Sequence, residues 1–238
     1  MHLIASTGGN RFLTKIAVDH GFKYGAQLPT TVRHSELWFA DQDWKKPEKH
    51  HRYLRMVKEW RPHLATVVDI EGEQDMPRAL AMADEIGPYV GHILWIPKME
   101  GCIARLPREV HGKECMLAYS VLTKYGGTTL PLDDFVGWRV HLLGGNPFQQ
   151  ADAVRKLWGR TPVASTDGNF WIRQATRFCQ FFVEERFIPA RNRHWPTLRE
   201  YHGVKWEGSG PQEAFTRSCV SIRKFWAKIM DEVGGTLS

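Results

Sequence analysis

The sequence predicts a parallel α/β fold, read as a TIM-like (β/α)8 barrel followed by a helical C-terminal extension. Three observations carry the prediction. About eight short apolar runs recur along the first part of the chain, most of them separated by stretches with helical spacing. The runs are continuous rather than alternating, as in parallel strands covered on both faces. Several end in a polar residue or glycine, and in parallel α/β folds the C-terminal strand ends build the functional site. Eight βα units in about 170 residues is compact against a typical barrel of ~250, so a doubly wound sheet is the alternative.

The clearest unit is Trp138–Asn169. Arg139–Leu143 reads as a buried strand ending in Gly144-Gly145. Asn146 and Pro147 supply an N-cap and a first helical position, and the helix runs Phe148–Leu157. Val163–Thr166 reads as the next strand, stopping at Asp167-Gly168-Asn169.

From the start of the chain, His2–Ala5 is a strand. A helix face of Phe12, Ile16, Ala17 and His20 follows, closed by Gly21. Tyr24–Leu28 and Leu37–Ala40 are the second and third strands, the third stopping at Asp41-Gln42-Asp43-Trp44. Pro47 opens a helix through Trp60, with Tyr53, Met56, Val57 and Trp60 on one face. Leu64–Ile70 is the fourth strand and contains Asp69. A helix over Met76–Ile86 ends at Gly87-Pro88. Gly91–Ile96 is the fifth strand, ended by Pro97-Lys98, and Cys115–Val121 is the sixth. The tail reads as helical over Phe170–Arg186 and Phe215–Val233, and is rich in Arg and aromatic residues, including Trp195 and Trp206. The expected organisation is a barrel over 1–175 and a basic helical extension over 176–238.

Composition narrows the function classes. A hydrophobic fraction of 42% and ten Trp among 238 residues mark a chain that folds. Cys102, Cys115, Cys179 and Cys219 have neither disulfide-framework nor zinc-ribbon spacing, so a reducing cytoplasm is expected. No apolar run nears the ~20 residues of a membrane span, and Met1–Thr7 is too short and neutral for a signal peptide. A formal charge of +6 with pI near 9.2 favours a polyanionic partner.

The strand-end rule gives Asp41, Asp69, Lys98 and Asp167, with Tyr119 and His141 inside strands six and seven. Each has a plainer reading: Asp167-Gly168 is also an ordinary turn dipeptide, His141 suits a satisfied core histidine, and Gly144-Gly145 suits a tight turn. Asp69 is harder to dismiss, because it ends an apolar run that has no need of a carboxylate. There is no GxSxG, P-loop, HExxH or GxGxxG signature.

Four segments together resemble the tRNA-guanine transglycosylase superfamily, and in particular its divergent phage branch that acts on guanine in DNA. Trp38-Phe-Ala-Asp41 is similar to the family strand that ends in an aspartate. Val67-Val-Asp69 resembles the strand whose aspartate binds the purine. Val140-His-Leu-Leu-Gly-Gly-Asn-Pro147 resembles the family's Leu-Met-Gly-Val-Gly-x-Pro strand and helix start. Val163-Ala-Ser-Thr-Asp167 falls where the family carries its nucleophile. The likeness covers roughly residues 1–175 and implies a (β/α)8 barrel that exchanges guanine in DNA, in preference to tRNA, for a free 7-deazaguanine base. By it, Asp167 attacks the anomeric carbon, Asp41 moves a proton on the base, and Asp69 accepts from the guanine edge. Gly144 and Gly145 let the purine approach the backbone, Lys98, Tyr119 and His141 join the base pocket as candidates from the strand-end reading, and Arg173, Arg177, Arg191 and Arg193 grip phosphates.

The sequence departs from the family pattern in places. Gln42-Asp43 replaces Ser-Gly-Gly after Asp41, Lys98 stands near a Gln-Gly position, and the family's Cys-x-Cys-x-x-Cys…His zinc site is absent. A shifted register would align Ser165 or Thr166 in place of Asp167. No metal or redox cofactor is implied and no membrane partner is expected; oligomeric state is left open. An N-glycosidase, with water replacing the incoming base, and a non-catalytic nucleic-acid-binding barrel are the competing readings. Host cytoplasm is the expected compartment if the chain is phage-encoded.

Overall fold

The computed structural model describes residues 1–32, 34–43, 47–123, 126–178, 180–183, 185–189 and 211–238. Eight parallel strands close into a barrel: β1 (His2–Ser6), β2 (Lys23–Leu28), β3 (Phe39–Gln42), β4 (Leu64–Ile70), β5 (His92–Pro97), β7 (Lys113–Ser120), β8 (Val140–Leu143) and β9 (Val163–Thr166). Pairing of β1 with β9 and of β5 with β7 completes the ring and removes the doubly wound alternative. A two-residue strand, β6 (Glu109–Val110), lies antiparallel to the start of β7.

Alternation along the strands separates two apolar layers. Ile4, Phe39, Leu64, Leu94, Ile96, Met116 and Ala118 fill the barrel. Leu3, Ala26, Ala40, Val67, Ile93, Trp95, Leu117, Val140 and Leu142 face outward into the main core. There they meet α1 (Arg11–Asp19), α2 (His50–Trp60), α3 (Asp75–Ile86), α4 (Pro147–Leu157), α5 (Phe170–Phe178) and α6 (Pro211–Glu232).

Local sequence explains the helix starts that matter for the mouth. The Asn10 side chain caps α1, accepting from the backbone N–H of Phe12 and Leu13 at 3.0 and 3.1 Å. Asn146 caps α4 in a reciprocal capping box with Gln149, and Pro147 occupies the first position. Strands β4 and β9 have the expected bounds.

Two expectations need correction. The third strand is Phe39–Gln42, not Leu37–Ala40: Asp41 pairs in register with Gln27 and belongs to the ladder. The tail is not helical through Arg186: α5 ends at Phe178, and β10 (Gln180–Val183) and β11 (Arg186–Pro189) form an antiparallel hairpin, with Glu185 at φ +63° in its turn. As expected from runs of which most, not all, are separated by helical stretches, a helix does not follow every strand. The β5–β6 and β7–β8 links among the described residues contain only short 3₁₀ turns, at Ile103–Arg105 and Leu132–Phe135. Helix α6 contributes Phe215, Cys219, Ile222, Ile229 and Met230 to the main core, and Trp171 of α5 stacks on Phe215 with ring centroids 5.3 Å apart.

Candidate active site at the C-terminal mouth of the barrel

Asp41, Asp69, Lys98 and Asp167 all lie at the C-terminal strand ends, where a parallel barrel gathers its functional groups. Asp41 reaches this position by plain alternation, two residues after the inward Phe39. Asp69 and Asp167 do not.

In β4 the register slips by one residue, so that Thr66 pairs with Leu94 and Asp69 with Ile96. Residues three apart on a regular strand point to opposite faces. The extra residue lets Thr66 and Asp69 both face inward, opposite two members of the inner layer. Strand β9 repeats the device. Val140 pairs with Val163, but His141 pairs with Ser165, so Ser165 turns inward and Asp167 follows it towards the mouth. Two bulges therefore aim two of the three carboxylates.

The turn after β8 fixes Asp167. Gly144 and Gly145 have φ of +68° and +79°, a conformation that side chains disfavour, and a Cβ on Gly145 would sit 2.6 Å from Val121 Cγ1. In this shape the Gly144 N–H donates to Asp167 Oδ1 at 2.8 Å. Gln150 of α4, 4% exposed, locks the two strand ends together: its Nε2 donates to the Gly144 carbonyl at 2.6 Å and to the Asp167 carbonyl.

Electrostatics then separate the carboxylates. Burial raises the Asp41 pKa well above the usual carboxylate range, and the nearby charges of Asp167 and Asp69 raise it further. Its hydrogen bonds oppose this weakly, being long: 3.4 Å from Thr66 Oγ1 and 3.5 Å from Gln27 Nε2. Asp41 is thus set up to hold a proton. Asp69, 19% exposed at its side chain, is also raised by burial, but Lys98 Nζ at 2.5 Å pulls it back. Lys98, 17% exposed, also reaches Glu71 Oε1 at 2.8 Å; burial lowers its pKa, but these two carboxylates outweigh that and raise it. Asp167 is 11% exposed and has the Gly144 N–H on one oxygen.

A family model described as "Family of unknown function (DUF6610)" matches residues 17–227. The chain belongs to this family. The DUF6610 segment contains Asp41, Asp69, Lys98, Asp167, both bulges and the Gly144-Gly145 turn, while β1 precedes it. No curated protein and no solved structure matches the chain.

The remaining expected residues are placed differently. Tyr119 lies on the outer face of β7, since Met116 and Ala118 take the inward positions, and its ring meets Phe135 edge-on at 5.1 Å. Strand alternation removes it from the pocket and leaves Ser120 as the inward residue at that height. His141 faces inward but is 0% exposed, below the mouth, with its ring 4.9 Å from Phe39. Arg173 is half-buried and Arg177 exposed on α5, and neither side chain has an ion-pair partner among the described residues. Arg191, Arg193, Trp195 and Trp206 lie outside the described residues.

Thr66, Gln150 and Gln27 are contributors that the sequence reading passes over. Thr66 could have been found as an inward polar residue in an otherwise apolar strand. Gln150 could have been found one helical turn after the Asn146 cap, where a glutamine faces the strand ends. Gln27 carries no signal beyond its place near the end of β2.

Proposed function

We propose that this mouth catalyses base exchange on DNA, replacing guanine with a 7-deazaguanine through a covalent aspartyl–glycosyl intermediate. The observation that carries the reading is the convergence of three carboxylates with unequal environments: one poised to hold a proton, one tied to a lysine, and one with a backbone donor on a single oxygen. Carboxylates driven apart in protonation are how acid and nucleophile roles are divided in glycosyl transfer.

In the first half-reaction the Asp167 carboxylate attacks C1′ of the nucleotide. The C1′–N9 bond breaks with its electron pair moving into the purine, and the proton on Asp41 neutralises the departing base. In the second, the Asp41 carboxylate takes a proton from the incoming 7-deazaguanine. The nitrogen of that base then bonds to C1′ and Asp167 is released. Atoms and charge balance without a redox partner. Asp69 accepts from the N1–H and exocyclic amine of the purine, and Lys98 donates to its O6 while countering the effect of burial on Asp69. A base inside a duplex cannot reach such a pocket, so the nucleotide must leave the stack. Arg173 and Arg177 on the helix after β9, with no ion-pair partner among the described residues, are offered to phosphates.

The test is an exchange assay with DNA and, separately, tRNA carrying labelled guanine. Release of label that requires both a free 7-deazaguanine and Asp167, and that is lost in Asp167→Asn, is the expected result. Release without added base would indicate a glycosidase. No release from either nucleic acid would overturn the proposal.

A further inference from the structure

His141 is a buried polar group that the exchange chemistry leaves without a task. It is 0% exposed in a barrel interior otherwise lined by Phe39, Leu94, Met116 and Ala118. Its Nδ1 lies 2.9 Å from Ser165 Oγ, a residue that is also fully buried. Its Nε2 has no hydrogen-bond partner among the described residues, and the group it faces is Asp167 Oδ1, 3.6 Å away. A buried imidazole nitrogen left unsatisfied is costly, so its direction is informative.

Two tautomers are open to the ring. If Nδ1 carries the proton, it donates to Ser165 and the Nε2 lone pair faces a carboxylate oxygen 3.6 Å away, which is repulsive. If Nε2 carries the proton, Ser165 O–H donates to Nδ1 and the N–H dipole points at the carboxylate, which is attractive. The second arrangement satisfies Nδ1 and gives Nε2 an attractive partner in place of a repulsive one. The 3.6 Å separation is longer than a hydrogen bond, as functional contacts often are before substrate arrives.

Both donors address the same oxygen. The Gly144 N–H binds Asp167 Oδ1 at 2.8 Å, and His141 Nε2 approaches that same atom. Oδ2 has no partner among the described residues. We propose that His141, as its Nε2–H tautomer held by Ser165, is a positioning residue that fixes Asp167 through Oδ1 and leaves Oδ2 as the atom presented to the substrate. The assignment of Oδ2 as nucleophile rests on the exchange reading. The Ser165–His141–Asp167 contact does not. The β9 bulge that turns Ser165 inward builds this array as well as aiming the carboxylate.

The test uses the full-length chain. Imidazole ¹⁵N NMR, with the His141 signals assigned from their loss in His141→Gln, reports which nitrogen carries the proton. Protonated Nε2 with unprotonated Nδ1, and an Nε2 signal that moves in Asp167→Asn, is the expected result. A proton on Nδ1 overturns the proposal. A pair of variants provides the kinetic arm, because a glutamine amide nitrogen occupies roughly the place of Nε2 and an asparagine that of Nδ1. His141→Asn is expected to lower kcat for exchange on the order of ten- to a hundredfold with KM for DNA unchanged, and His141→Gln to restore most of it. Equal losses in both variants, or losses confined to KM, overturn a positioning role. If the wild-type chain exchanges no base, the functional reading fails, and the tautomer measurement alone decides for or against the contact.

Discussion

Gln150 offers a prediction whose size follows from the structure. Its side-chain amide donates to two carbonyls, Gly144 at 2.6 Å and Asp167, at the ends of adjacent strands. The residue is 4% exposed, so water cannot readily take over either bond. Gln150→Met keeps the side-chain volume and removes both donors. At roughly 0.5–1.5 kcal/mol per neutral hydrogen bond, the loss is about 1–3 kcal/mol. For a chain of this size each kcal/mol moves Tm by about 2–4 °C, so a drop of about 2–12 °C is expected in a thermal melt. The Gly144 N–H also loses its fixed relation to Asp167, and exchange activity should fall more steeply than stability. A Gln150→Met variant with unchanged Tm and unchanged exchange rate would refute the idea that this amide holds the two strand ends.

Other outcomes follow from the same geometry. Because the folded-state pKa of Asp41 lies above its unfolded value of 3.8, the folded chain keeps a proton that the unfolded chain has lost, and stability falls as pH rises through that interval. Asp41→Asn should therefore raise stability at neutral pH by about 0.5–2 kcal/mol while abolishing exchange, with the gain shrinking as the melt is repeated towards pH 4. At the opposite end of the barrel, His63 stacks on Trp38 at 4.7 Å; burial first, and then the neighbouring His92, His2, Arg139 and Lys23, lower its pKa from 6.5 to about 4. The folded state disfavours its charged form, so stability is lost as pH falls from 6.5 towards 4. The effect is modest because the ring is still solvent-accessible, and His63→Phe should flatten the Tm-against-pH curve there. Arg173→Ala and Arg191→Ala should each weaken DNA binding and reduce the slope of log K against log salt by about one phosphate contact, measured by fluorescence anisotropy over a salt series.

The residues that punctuate strands and helices were the legible part of the fold. Asn146-Pro147 announces α4, and the uninterrupted apolar runs of β4 and β9 announce buried parallel strands. The carboxylates at strand ends were legible as candidates for the same reason, because their chemistry conflicts with their apolar neighbours. Which way each one points was not. Regular alternation from the outward Val163 would send Asp167 outward, and only the register slip at Ser165 turns it to the mouth. A bulge comes from pairing with a neighbouring strand and has no local signature here. Tyr119 shows the converse: the sequence places it inside strand six among the pocket candidates, but pairing puts Ser120 inward instead. The sequence reads as helix through Arg186 because a short apolar run of Phe181, Phe182 and Val183 fits either period. Its pairing with β11 and the left-handed Glu185 in the turn decide for a hairpin.

In the proposed exchange, Asp167 becomes covalently bonded to the sugar of a nucleic acid. Its most direct test is to incubate the full-length chain with a guanine-containing DNA oligonucleotide, quench with denaturant and measure intact mass, followed by peptide mapping. The expected result is an adduct of protein plus oligonucleotide lacking one guanine, mapped to the peptide carrying Asp167, absent in Asp167→Asn and discharged by a free 7-deazaguanine. Base release with no such adduct, or an adduct on any other residue, would contradict it.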